Sequence, residues 1–157
     1  MREYKTACIF GGTGFIGRQI VRELAARGVR IKVATRIPEK AYFLKPCGAV
    51  GQVVPFQCDY NDAESIQAAV KDCGYVVNCI GILYEKSKGA FTKAHVDIPA
   101  NIAKACAKEK VNRFVHISAL GVEKSSALYA KSKVDGEKAV LNNFPGASIL
   151  KPSIVFG

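Results

Sequence analysis

The stretch IFGGTGFIGRQI, Ile9 to Ile20, decides the fold of this chain. An apolar run, TACIF (6–10), leads into glycines at Gly11, Gly14 and Gly17. A short apolar run ending at glycine reads as a buried parallel strand. The residues that follow put Ile16, Ile20, Val21 and Leu24 on one helical face, and Gly28 ends it. Strand, glycine turn, helix is an arrangement that seats a phosphate. With no bulky side chain on the turn, backbone N–H groups and the positive helix end can face an anion. Gly17 lets the helix pack closely. The turn residues Gly11, Thr13, Gly14, Phe15, Ile16 and Gly17 are therefore the expected cradle of a dinucleotide.

Outward from that turn the pattern repeats. VRIKVAT (29–35) and QVVPFQC (52–58) read as strands, the second weakened by Pro55, and a short helix is expected after Pro38. In DYNDAES, Asn61 is the expected cap, with Glu64 three residues on, and the helix should reach Asp72. YVVNCIG (75–81) and RFVHIS (113–118) are further strands. Helices are expected over 92–109, bent at Pro99, and over 126–142, before a last extended segment, SILKPSIVFG (148–157). Strands alternating with helix-length connections require right-handed crossovers and a covered parallel sheet. The fold class expected is α/β, a Rossmann-type doubly wound parallel sheet with helices on both faces, as one domain over 1–157.

Composition excludes several classes of protein. No run of 18 apolar residues occurs, so no membrane span is expected, and the N-terminal MREYKTACIF has no signal-peptide pattern. The six cysteines, at 8, 47, 58, 73, 79 and 106, include no CxxC pair and read as reduced thiols. With only His95 and His116, no metal site is expected, and His116 reads as a packed residue. The net charge of +10 comes largely from lysines between 86 and 138. They read either as solvated helix faces or as a docking surface for an acidic partner or an anionic membrane. No zinc-finger or RNP-type spacing supports nucleic acid.

The end of the second strand selects the dinucleotide. An acid there would bond a ribose 2′-hydroxyl and mark NAD(H). Here the strand ends Ala34-Thr35-Arg36, and a guanidinium matches a 2′-phosphate, with Arg18 and Lys40 placed to assist. NADP(H) is therefore the expected cofactor, with NAD(H) the alternative. Asp59 and Tyr60, after the third strand, fall where the adenine should rest; Asp59 is equally suited to capping a helix. Asn78, Ile80 and Gly81 fall at the carboxyl edge where the sheet order reverses.

Tyr129 and Lys133 stand four apart on an expected helix and share a face. An ammonium one turn away stabilises a phenolate, which makes the phenol a usable proton shuttle. Lys133 is also placed to hold the nicotinamide ribose.

These motifs, in order, resemble the extended or atypical branch of the short-chain dehydrogenase/reductase superfamily: Gly11/Gly14/Gly17, Asp59, Asn78/Gly81, Tyr129/Lys133. The resemblance covers the whole chain. From His95 onward the sequence is similar to the family of nucleotide-binding accessory subunits of respiratory complex I and their bacterial homologues. That match rests on Ile98-Pro99, Ile102-Ala103, Val111 to Ser118, Ser125-Ser126, Gly136-Glu137-Lys138 and Lys151-Pro152-Ser153. The resemblance implies tight NADP(H) binding without established turnover and a role in assembly or stability of NADH:quinone oxidoreductase. It also implies partners among respiratory subunits, peripheral contact with a membrane, and a place in the bacterial cytoplasm or at the cytoplasmic face of the inner membrane, or on the matrix side in a eukaryote. It puts Pro152 beside the nicotinamide and implies a C-terminal substrate domain that these 157 residues do not include.

Two positions depart from the catalytic pattern. Active members place Ser or Thr where this chain has Ala119, which leaves Ser118 as a makeshift donor, and His95 stands where many have asparagine. Binding is untouched by either change. The alternative function implied is an NAD(P)-dependent epimerase, dehydratase or reductase with Tyr129, Lys133 and Ser118 as its catalytic residues.

Overall fold

The structure is a computed structural model and describes residues 6–157. The first five residues of the stretch read above as lacking a signal peptide lie outside the described residues. The chain begins with β1 (Thr6–Phe10), α1 (Phe15–Ala26) and β2 (Arg30–Thr35), followed by a 3-10 run over Pro38–Cys47. Next come β3 (Val53–Gln57), α2 (Ala63–Val70) and β4 (Tyr75–Asn78). A short α3 (Ala90–Thr92), a π-turn (Lys93–Asp97) and α4 (Ile98–Lys108) form one connection to β5 (Arg113–Ile117). A 3-10 turn at Val122–Lys124, α5 (Leu128–Asn143) and β6 (Ser148–Leu150) complete it.

All strand pairs are parallel, in the order β3-β2-β1-β4-β5-β6. The chain runs outward from β1 to β3, then returns past β1 to build the other half. This is the doubly wound Rossmann-type sheet expected, and its order reverses between β1 and β4, where a crevice opens at the carboxyl ends. β1 is buried on both faces because its side chains alternate. Ala7 and Ile9 pack with Val21 and Ala25 of α1 and with Leu44 of the 3-10 run. Cys8 and Phe10 pack with Ile66 of α2, Ile102 of α4 and Val140 of α5.

Several boundaries differ from the sequence reading. Pro55 is tolerated inside β3 because β3 is an edge strand, paired only with β2. α2 is capped by Asp62, not Asn61: its carboxylate accepts the Glu64 and Ser65 N–H groups. β4 stops at Asn78, short of Gly81, since the Asn78 side chain takes the Ile80 N–H and turns the chain. The helix expected over 92–109 is divided by the π-turn, which Ile98 N–H closes onto the Lys93 carbonyl. Pro99 has no N–H for the His95 carbonyl four residues back. Gly136 of α5 packs against that carbonyl, where a Cβ would overlap it. The last strand shortens to Ser148–Leu150. Beyond it the backbone still receives Leu120 N–H at the Pro152 carbonyl.

Candidate functional site

The site is built from chain turns at the carboxyl edge of the sheet and from α5. The first is the glycine turn. Gly11 has φ +73°, and a Cβ there would come within 2.8 Å of the Cys79 carbonyl carbon, so the turn lies directly against the chain leaving β4. At Gly17 a Cβ would overlap the Gly11 carbonyl oxygen; only glycine lets α1 start so close to the turn. Arg18, expected to assist at a 2′-phosphate, is otherwise engaged. Its guanidinium donates to the Thr13 and Gly14 carbonyls and lies over the Phe43 ring, bracing the turn.

A cleft of about 710 Å³ opens above that turn. Gly11, Gly14, Phe15, Ile16 and Gly17 line one side, and Cys79 to Leu83 line another. Ile117 to Leu120, Tyr129 and Lys133 form its far wall, with Pro152 to Val155 at the end. Glycine turn, tyrosine, lysine and Pro152 are thus brought into one cavity from opposite ends of the sequence. A second cavity of about 330 Å³ shares Ile80 and Ile82 with the first and holds Arg36 and Tyr60. The Arg36 guanidinium lies 5.6 Å from the Tyr60 ring centroid, and the Tyr60 hydroxyl donates to the Ala34 carbonyl. Together the two cavities give an elongated crevice across the switch point.

Two expected contact residues, Asp59 and Asn78, line neither cavity. Asp59 is exposed and lines neither cavity; its carboxylate accepts the Asn61 N–H in a local turn, and α2 is capped by Asp62 instead. Asn78 is fully buried beneath the site, where its amide donates to His116 Nδ1 while its oxygen holds Ile80 N–H. It shapes the loop that lines the cleft and does not reach the cleft itself. Thr13 contributes its backbone to the turn, and its side chain is outside both linings.

Lys133 is buried, at 4% exposure, and its ammonium donates to the Ile117 carbonyl at 3.0 Å. Burial lowers its pKa from the ordinary lysine value, while Glu137 and Cys79 act in the opposite direction. Burial also pushes the Cys79 thiol up to about 12, so it faces the cleft as a neutral group. Tyr129 is half-buried, its ring edge-on to Phe91 and His95 with centroids 5.8 and 5.4 Å away.

The chemistry beside that pair departs from an active donor set. Ser118 is buried and its hydroxyl donates to Glu137. Glu137 is in turn ion-paired with Lys151 at 2.9 Å. Ala119 follows in the wall and offers no polar atom. The sequence reading named Glu137 only within the family match and gave it no role at the site. Its spacing was legible, four residues after Lys133 and eight after Tyr129, but its partners come from other elements.

Two buried histidines complete the floor. Ile82 N–H donates to His95 Nε2, so His95 carries its proton on Nδ1 and donates to Ser132 Oγ, which donates to the Tyr129 carbonyl. His116 accepts at Nδ1 from Asn78, leaving its Nε2 proton buried without a partner among the described residues. Burial lowers the pKa of both rings, His95 to about 4 and His116 to about 3, and nearby Lys133 adds to each shift. Among the described residues, no group of histidines, cysteines and carboxylates has the arrangement to hold a metal ion.

A family model described as NAD(P)H-binding matches residues 11–143, from the glycine turn to the end of α5. The chain belongs to this NAD(P)H-binding family. Among curated relatives, it is 38% identical over 153 residues to the mitochondrial NADH dehydrogenase [ubiquinone] 1 alpha subcomplex subunit 9 of Rattus norvegicus, covering 96% of this chain and 41% of that protein. It is 34% identical to the mitochondrial NADH-ubiquinone oxidoreductase 40 kDa subunit of Neurospora crassa, covering 97% and 41%. This NAD(P)H-binding chain therefore spans about two fifths of the length of the relatives it matches. Among solved structures it superposes on vestitone reductase from alfalfa with a TM-score of 0.72 at 26% identity, over 93% of this chain and 55% of that one.

Proposed function

We propose that this chain is the NADP(H)-holding domain of a protein like the accessory subunits of NADH:quinone oxidoreductase, with a binding and structural role and little turnover of its own. The observation that carries this reading is the state of the cleft wall after β5. Ser118 gives its hydroxyl to Glu137 and Ala119 has none, so no side-chain hydroxyl from this pair is free to polarise a substrate oxygen beside Tyr129. The binding side of the cleft supports this reading: the glycine turn, Lys133 and Pro152 line it together. The similarity to respiratory subunits supports the partner class. Arg36, beside Tyr60 in the adjoining cavity and without a carboxylate partner among the described residues, supports NADP(H) over NAD(H). In this role Tyr129 and Lys133 position the cofactor ribose, and the bound dinucleotide supplies redox chemistry only if a substrate reaches it.

Such a protein works at the surface of a membrane complex, in the bacterial cytoplasm or on the matrix side. No helix among the described residues is long and apolar enough to cross a membrane. The net charge of +10 suits docking on acidic subunits or lipid headgroups.

The second reading is an NAD(P)-dependent reductase or epimerase. It is favoured by Tyr129 and Lys133 both facing the cleft and by the likeness to a plant reductase. One variant separates these readings, and a second tests the cofactor preference. Tyr129→Phe should weaken NADPH binding about three- to tenfold, the cost of one ribose hydrogen bond; a reductase or epimerase activity in the parent protein that this variant abolishes would establish the second reading. Arg36→Asp should weaken NADPH binding at least about tenfold and NADH binding much less, by equilibrium fluorescence titration. Unchanged NADPH affinity removes the 2′-phosphate assignment.

A further inference from the structure

The cavity that holds Arg36 carries two more cations from a part of the chain far from the glycine turn. Its outer wall is the segment from Ser87 to Ala90 together with Lys93, Ala94 and Ile98. The π-turn places Lys93 at this wall, with Ala94 and Ile98 buried beneath it. Gly89, at φ +85°, turns the chain into α3 directly after Lys88. Arg36, Lys88 and Lys93 are the charged groups of the lining, and no carboxylate is among them. None of the three has an ion-pair partner among the described residues. By contrast Lys151, also exposed, is neutralised by Glu123 and Glu137. A concave site lined by one sign of charge focuses its field on whatever enters.

We infer that Lys88 and Lys93 form a cationic wall opposite Arg36 that selects a dinucleotide with a phosphorylated adenosine ribose over one without. The inference rests on the NADP(H) reading and extends it from one arginine to two lysines on the β4–α4 connection. A 2′-phosphate adds close to two negative charges at the adenosine end, and NAD(H) has none there. The field acts alike on the pyrophosphate that both ligands carry, so the difference it makes between them comes from the 2′-phosphate. Both lysines are exposed, so their contribution must weaken with salt.

The test uses adenosine 2′,5′-bisphosphate and 5′-AMP as probes, titrated calorimetrically into the chain at low and at about 0.5 M salt. Lys88→Gln and Lys93→Gln should each weaken the bisphosphate about three- to fivefold at low salt, with 5′-AMP changed less than twofold. The double variant should weaken it about tenfold and flatten its salt dependence, and Lys88→Arg with Lys93→Arg should restore both. Unaltered melting temperatures confirm that the exposed substitutions leave the fold intact. Equal losses for both probes, or none for either, overturn the inference. Its failure is separate from failure of the NADP(H) reading. A wild-type chain that prefers the bisphosphate and loses that preference only with Arg36→Asp refutes the lysine wall alone. A wild-type chain with no preference refutes the reading beneath it.

Discussion

At the scale of single residues, the floor of the cleft is held by two neutral histidines. His95 joins the loop after β4 to α5 through Ile82, Ser132 and the Tyr129 carbonyl. His116 anchors Asn78 across the sheet. Both rings titrate well below 6.5 in the folded chain, at about 4 and about 3, and close to 6.5 when unfolded. Below 6.5 the unfolded chain therefore binds more protons than the folded one. Their contribution is full above 6.5 and is lost as pH falls toward 4 for His95 and toward 3 for His116, at a slope of at most ~1.4 kcal/mol per pH unit for each ring. Urea midpoints should fall between about pH 7 and pH 5, and His95→Gln should flatten part of that fall. A midpoint independent of pH in this window contradicts the neutral-histidine assignment. Asn78 and His116 were each visible as residues, Asn78 as a cofactor contact and His116 as packed. Their pairing joins positions 38 apart, which no local pattern encodes.

At the scale of elements, α5 carries the site and the contact that seats it. Tyr129, Lys133 and Glu137 recur at four-residue spacing along it. Its Gly136 meets the His95 carbonyl, to which Pro99 four residues on can donate no N–H. Gly136→Ala places a methyl group on that carbonyl and should cost about 3 kcal/mol or more, since backbone rather than a flexible side chain must move. Thermal unfolding measures the loss; a change under about 1 kcal/mol would show that α5 rides outward freely. The spacing of Tyr129 and Lys133 followed from helical periodicity. The π-turn did not, because Pro99 marks a disturbance without saying how the backbone absorbs it. The cap of α2 shifted by one residue, to Asp62, between two side chains of equal capping ability.

At the scale of the whole molecule, two adjoining cavities lie at the carboxyl edge of the sheet where its order reverses, walled by turns from several strands and by α5. A ligand that spans them binds the folded chain and not the unfolded one. NADPH at about a hundred times its dissociation constant should therefore add ~2.7 kcal/mol of stability, seen as a rise in melting temperature. NADH at the same concentration should raise it less. Equal shifts would place both dinucleotides on the same footing and remove the case for Arg36.

The amino-acid sequence alone determined the alternating α/β order, the parallel sheet and the glycine cradle. Each is encoded locally: apolar runs of strand length, helical periodicity, and glycines at Gly11, Gly14 and Gly17 where a Cβ meets backbone. Only the tertiary structure decided what the polar side chains at the site face. Ser118 turns to Glu137, 19 residues away, and Asn78 turns down to His116. A buried polar group must find a partner wherever the fold supplies one, and that partner is set by the packing of α5 and β5, not by neighbours in the chain.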